Sequence, residues 1–516
     1  MDDLSESALR ALPKEKPSDA TISAMNHLAS AFLAVARSRP DKTALYWGDS
    51  RYTYGHYRDQ ILGTASLLKG KGIRPGDRVA IWLKNCPEFV GALFGVLAAD
   101  AVVVPINNFL KPAEVAYMLQ DAGIEWVIAE SSHAGLPELK ALHPLIQILD
   151  AETLPTEAAE ISDPVRGGDD LAVLIYTSGT TGHPKGAMLS HSNLLANVVS
   201  CRVFLEIAEE DRLVVLLPMF HSFMLTVGLL LPLLSGASVV AVKGLHSPKH
   251  MIAEILQNQG TLLPAMAALF RALSQIPAGI EFTSLRLCVS GAGPLPLEIL
   301  NGFNARHPRV PLIEGYGLSE ASPVVTVNPP RDPKPGTIGV PIPGVEVSVQ
   351  DDAGNELGDG VDGEICVRGS NVMLGYWNAP DKTAQTILNG WLLTGDIGHR
   401  RPDGWYVITD RKKDMIKPNG MNVYPREIEE VIYRFPGIRE AAVVGEPCER
   451  RGERAVAFVA MDEGHIFDEH ALIAFLKETL ADYKVPRRAI VLPVLPRNAT
   501  GKILKTTLRE MLSRGH

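Results

Sequence analysis

The sequence predicts an α/β protein: a large N-terminal domain of α/β subdomains plus a β-rich module, followed by a small C-terminal α+β domain. Three observations carry this reading. At 516 residues the chain is too long for one ordinary domain. Up to about residue 335, apolar strand-like runs alternate with helix-like stretches. After that the texture shifts to short strands joined by Gly- and Asp-rich turns, and it alternates again from about residue 411.

The elements follow in order. From Arg78, RVAIWLKN, PEFVGALFGVLAAD and AVVVPIN read as strand, helix and strand with a parallel connection. The same order recurs from Leu213 to Val242 as LVVLLPMF, HSFMLTVGLLLPLLSG and ASVVAV. Two further βα-like passages follow, LRLCVSGAGPLPLEILNGFNARH and the segment ending at Glu314. GTIGVPIPGVEVSVQDDAGNELGDGVDGEICVRG supplies the β-rich module. The final part reads as a hairpin-like piece, a helix at PREIEEVIYRF and strands at EAAVVGE and AVAFVAM. A helix at DEHALIAFLKETLADY and a basic tail follow. The boundary is placed at Asp410–Arg411, giving domains 1–410 and 411–516.

Composition narrows the function classes. Hydrophobic residues make up 46% and charged residues 21%, a globular balance with large cores. With 50 basic against 59 acidic side chains, the net charge of -9 and the lack of a basic cluster argue against nucleic acid as a partner. Cys86, Cys201, Cys288, Cys366 and Cys448 are scattered, without a CxxC pair, so neither a zinc site nor a disulfide framework is expected. The charged N-terminus lacks a signal-peptide core. The apolar stretch Leu225–Val242 is interrupted by Gly228, Pro232 and Ser235-Gly236-Ala237-Ser238, which suits a buried helix and strand better than a membrane span. A cytoplasmic protein without an integral membrane segment is expected, compatible with a homodimer and with transient membrane contact.

The strongest local signal is Tyr176-Thr177-Ser178-Gly179-Thr180-Thr181-Gly182-His183-Pro184-Lys185-Gly186, after an apolar strand and before an expected helix. Its glycines let backbone approach a ligand, its hydroxyls and N–H groups suit phosphate oxygens, and Lys185 adds a mobile cation. Pro184 before the lysine and Gly186 after it exclude GxxxxGK[ST].

YTSGTTGHPKGAML resembles the phosphate-loop signature of the adenylate-forming (AMP-binding) superfamily, which includes acyl-CoA synthetases, peptide-synthetase adenylation domains and beetle luciferases. The family's other motifs follow in order: LPMFHSF, GAGPL, EGYGLSE, TGDIG, DRKKDMIKPNG and PRNATGKILK. The resemblance implies ATP, Mg²⁺ and CoA as co-substrates and cofactor. The chemistry is attack of a carboxylate on the α-phosphate of ATP, converting a hopeless leaving group into AMP. Two anions meet in that step, so cations must offset their repulsion.

The roles that the resemblance implies are specific. Thr177, Ser178, Gly179, Thr180, Thr181, Gly182 and Lys185 would hold phosphates, and Glu320 would bind Mg²⁺ through a hard oxygen. Gly315, Tyr316, Gly317 and Ser319 would receive the adenylate, Tyr316 laying its ring on adenine. Ser319 stands where threonine is usual and retains a hydroxyl. Asp396 would accept bonds from the ribose hydroxyls, with Arg411 supporting it. Lys502 would reach from the C-terminal domain to the reacting anions, and His221 would close the acid pocket. The C-terminal domain is expected to rotate between half-reactions about Lys413, with Gly420 beside the pantetheine arm.

Segments 217–234, 262–270 and 288–298, expected to line the acyl pocket, carry no Lys, Arg or Asp. An uncharged wall suits an apolar tail, and His221 replaces the Asp with which peptide-synthetase domains hold an ammonium group. Phe223, Met224, Met266, Gly291 and Gly293 are the expected lining. The favoured reading is a medium- or long-chain fatty acid joined to CoA. An aryl-acid ligase, a ligase delivering acyl-adenylate to a carrier protein and a non-catalytic nucleotide-binding scaffold are the alternatives.

Overall fold

A computed structural model describes residues 25–177, 184–243, 248–277, 279–418, 421–448, 452–497 and 502–514. Their strands form sheets of nine, seven, five and three strands. In the nine-stranded sheet, Thr43–Trp47 lies parallel to Ser238–Ala241, which in turn lies parallel to Arg212–Val215. Leu262–Ala265, Leu287–Ser290 and Leu312–Gly317 continue the parallel run.

Strand periodicity explains the layering. Val79 and Ile81 enter one core while Ala80 and Trp82 enter another, and Leu213 and Val215 are likewise separated from Val214 and Leu216. Both faces are buried, as parallel strands with crossover helices require. The helices Leu28–Ser38, Tyr54–Gly70, Glu88–Ala98 and His191–Phe204 contribute to the core that both large sheets share. The apolar stretch forms a wide π-helical turn, Met224–Leu230, a short helix, Leu231–Leu234, and the strand Ser238–Ala241. No described helix is long and apolar enough to cross a membrane.

The β-rich module is the five-stranded sheet, whose strands include Val345–Gln350, Gly363–Gly369 and Trp391–Arg400. Its strand Tyr406–Arg411 pairs Arg411 with Asp396 and Asp410 with Ile397, so the chain leaves this sheet at Asp410–Arg411. The three-stranded sheet of the C-terminal part consists of Ile438–Cys448, Gly452–Met461 and Arg488–Val491. Val443, Ala457 and Val459 share a core with the helices Pro425–Ile432 and Glu469–Thr479, while Val444, Val456 and Phe458 share another with Leu508 and Leu512.

Two local expectations are corrected. The element after the phosphate loop is the strand Lys185–Ser190, antiparallel to Leu171–Thr177, and a helix starts only at His191. Ser190 caps that helix: its hydroxyl accepts from Asn193 N at 3.0 Å, and Asn193 Oδ1 accepts from Ser190 N at 2.9 Å. The chain end is more than a basic tail, because it holds the strand Arg488–Val491 and the helix Lys505–Ser513. Leu508 and Leu512, four residues apart, give that short helix its buried stripe.

Candidate active site

The strand Leu312–Gly317, flanked by Leu287–Ser290 and Val324–Val327, and the short turn after it deliver EGYGLSE to the carboxyl end of the parallel run in the nine-stranded sheet. Gly317 has no room for a side chain, since a Cβ there would sit 1.9 Å from the Pro323 carbonyl oxygen. The turn is fixed from beneath by two buried amides. Asn197 donates to Val324 O at 2.7 Å and accepts from Val324 N, and Asn371 donates to Ala321 O at 3.0 Å. Both lie outside the predicted set.

Tyr316, Asp396 and Arg411 meet although 80 residues separate the first two. The Tyr316 hydroxyl donates to Asp396 Oδ2 at 2.6 Å and Arg411 Nε donates to Oδ1 at 3.0 Å. Asp396 is only 4% exposed, so these charge-assisted bonds offset its lost hydration. Burial, then the Asp396 charge, hold the Tyr316 phenol far above its ordinary pKa, so it remains a donor.

Lys502 joins this group from the C-terminal part. Burial, then the Arg411 charge, lower its pKa to about 8, with Asp396 opposing. His221 lies on the other side: burial, then Lys502, lower its pKa to about 4, so it is neutral near pH 7. Its Nδ1 accepts from Phe223 N at 3.3 Å, which assigns the remaining ring proton to Nε2. The Ser319 hydroxyl is 2.9 Å from that of buried Ser222, a partner from the same 217–223 segment that the sequence reading missed.

Glu320 accepts a 2.9 Å hydrogen bond from the Tyr376 hydroxyl through Oε1. Among the described residues no three His, Cys, Asp or Glu cluster as a metal site. A lone carboxylate fits Mg²⁺, which takes few protein oxygens and completes its shell with water and substrate phosphates. Thr177 and Lys185 stand opposite each other at the base of the phosphate loop. Ser178, Gly179, Thr180, Thr181 and Gly182 lie outside the described residues, as does Gly420. Lys413 is exposed in the turn after the last strand of the five-stranded sheet, and Arg411 and Asp414 act on its charge.

Of the expected pocket lining, Phe223 packs over Gly291, where a Cβ would come 3.0 Å from the ring. Met266 is half-buried, and Gly293 faces open space with nothing within 4 Å of a Cβ. Met224 is fully enclosed, its sulfur against Gly228, so it backs the wall from within the core and faces no open cavity. A Cβ on Gly315 would meet its neighbours at ordinary contact, the nearest being Val327 at 3.5 Å.

The C-terminal part is held against this site by named contacts. Arg271 donates to Asp462 at 2.7 Å and to Ile438 O at 2.9 Å, and Arg426 lies 3.7 Å from buried Glu314. Glu314, one strand residue ahead of Gly315, was also missed. Burial raises its pKa to about 7, and Arg426, too distant for a hydrogen bond, recovers only part.

Such a cleft, lined by nucleotide-type motifs and reached by a lysine from a second domain, is the architecture of an adenylate-forming enzyme. The chain belongs to the AMP-binding enzyme family: that family's profile matches residues 32–377, and the profile of the AMP-binding enzyme C-terminal domain matches 427–502. A feruloyl-CoA synthase from an Amycolatopsis species is 36% identical over 92% of this chain and 96% of its own. A long-chain-fatty-acid–CoA ligase from Bacillus subtilis is 33% identical over 92% of this chain and 93% of its own. ATP-bound MatB from Rhodopseudomonas palustris superposes with a TM-score of 0.87 at 31% identity, covering 94% of this chain and 99% of that one. Apo MatB from the same organism, at the same identity, superposes with a TM-score of 0.76.

Proposed function

We propose that this protein is an ATP-dependent acid–CoA ligase whose acid is a medium- or long-chain fatty acid. ATP, Mg²⁺ and CoA are its co-substrates and cofactor. One observation carries the reading: Tyr316, Asp396 and Arg411, from three separate motifs, meet through hydrogen bonds of 2.6 and 3.0 Å, and Lys502 of the C-terminal part comes near enough for the Arg411 and Asp396 charges to act on it. There its ammonium offsets the repulsion as a carboxylate oxygen bonds to the α-phosphorus and pyrophosphate departs. Tyr316, Asp396 and Arg411 form the nucleoside seat, and Glu320 would hold Mg²⁺, which supplies charge for the phosphates. In the second step the CoA thiol bonds to the carbonyl carbon and AMP leaves. Rotation of the C-terminal domain (residues 411–516) about Lys413 first withdraws Lys502.

The fatty-acid preference rests on the pocket side. His221 is neutral, Phe223 is apolar, and the segments contain no Lys, Arg or Asp. Their one carboxylate, Glu298, is exposed and under the influence of Arg271, Asp462 and Glu430, at the junction with the C-terminal part. An aryl acid is the second reading, favoured by the 36% identical relative named for feruloyl-CoA. A cytoplasmic location, where its cysteines stay reduced, belongs to the same proposal. Pyrophosphate release across alkanoates of graded length, benzoate and cinnamates, with and without CoA, tests it. Highest kcat/KM on an alkanoate with turnover that needs CoA is expected. Preference for a cinnamate moves the acid to the aryl class, and a single CoA-independent equivalent moves the acceptor to a carrier protein.

A further inference from the structure

Tyr376 stands between two groups of the phosphate side that come from distant parts of the chain. Its hydroxyl donates to Glu320 Oε1 at 2.9 Å, and the Lys185 ammonium lies 5.0 Å from the centre of its ring. The first contact leaves Glu320 its second oxygen and a fixed carboxylate plane. The second is within cation–π range and holds a long, flexible side chain near one direction.

The backbone makes this relay rigid. Met373 N donates to Glu320 O at 2.9 Å, Leu374 N to Met188 O at 2.9 Å, and Trp377 N to Gly186 O at 2.8 Å. The segment around Tyr376 is therefore sewn to the Glu320 turn on one side and to the strand that begins with Lys185 on the other. Thr383 Oγ1 accepts from Tyr376 N at 2.8 Å, and the ring is 8% exposed.

We propose that Tyr376 is a positioning residue that orients both Glu320, which would hold Mg²⁺, and Lys185, which would face a phosphate. The inference rests on the reading of Glu320 as the Mg²⁺ ligand and Lys185 as a phosphate group's partner. In this role Tyr376 acts through its two neighbours, Glu320 and Lys185. Partners one step removed from a metal typically change its affinity by about 10- to 100-fold.

The test is calorimetric titration of the full chain with ATP at graded Mg²⁺, in wild type, Tyr376→Phe, Glu320→Gln and the double variant. Tyr376→Phe keeps the ring, and unfolding midpoints without nucleotide establish that each variant is folded. The expected result is that Tyr376→Phe raises the Mg²⁺ concentration for half-maximal ATP binding about tenfold or more, and that the double variant is no worse than Glu320→Gln alone. Tyr376→Leu, which also removes the ring, additionally weakens ATP binding without Mg²⁺, the arm that reports on Lys185. An unchanged Mg²⁺ requirement in Tyr376→Phe, with Glu320→Gln shifted, overturns the role of Tyr376 and leaves Glu320 standing. Additive losses in the double variant overturn it equally. An unshifted Glu320→Gln overturns the metal reading itself and the proposal with it.

Discussion

Lys502 permits a quantitative test, because its surroundings pull its pKa into an accessible range. Burial first and the Arg411 guanidinium second bring it from 10.5 to about 8, with Asp396 recovering part. That difference is about 3 kcal/mol in favour of the neutral amine before any substrate anion binds. About nine-tenths of the free enzyme then carries the cation at pH 7, and about one-tenth at pH 9. Only the cation offsets repulsion between carboxylate and α-phosphate, so kcat/KM for adenylation should fall about tenfold per pH unit above that pKa. Bound ATP and acid hold the proton, so the corresponding limb in kcat should appear at higher pH. Single-turnover pyrophosphate release from about pH 6.5 to about pH 10 measures both limbs. Lys502→Arg keeps its charge throughout and should turn over more slowly with no limb near pH 8. Lys502→Ala should lower adenylation about 10²- to 10³-fold while sparing thioester formation from preformed acyl-adenylate. A limb that persists in Lys502→Arg, or equal loss of both half-reactions in Lys502→Ala, would refute the assignment.

Two other outcomes follow from the domain junction. Lys413→Pro, which stiffens the exposed turn after Arg411, should slow thioester formation more than adenylation; an unchanged ratio of the two rates removes Lys413 from the hinge. Glu314 has its pKa raised from 4.5 to about 7, so the folded state keeps a proton that the unfolded chain releases across that window. Its contribution to stability is therefore greatest at low pH and declines as pH rises through the window. Glu314→Gln abolishes that decline, so urea unfolding should show the variant gaining on wild type by up to about 3 kcal/mol across the window. A pH-independent difference would place the proton elsewhere.

The proposed site residues could be picked out in linear sequence because short motifs carry them. Asp396 in TGD, Tyr316 in EGYG and Arg411 in DRKK were each assigned to the nucleoside, and the structure brings all three into hydrogen-bond contact. Their direct phenol-to-carboxylate bond was not legible, because nothing local reports a partner 80 residues away. The strand Lys185–Ser190 was missed for a related reason. Its six residues become a strand by pairing with Leu171–Thr177, and pairing is a property of two segments. Met224 shows the converse limit: apolarity placed it inside, but only packing shows it fully enclosed with its sulfur against Gly228.

The order of continuous apolar runs and helix-like stretches determined the α/β class, since each run is written in its own segment and survives any arrangement. The five scattered cysteines, none in a CxxC pair, are likewise a feature of the sequence alone. The tertiary structure alone decided the order of strands in four sheets, the ion pair between Glu314 and Arg426, and the approach of Tyr376 to both Glu320 and Lys185. Those contacts join side chains from separate elements. Their strength depends on burial and distance, which come into being only when the elements pack.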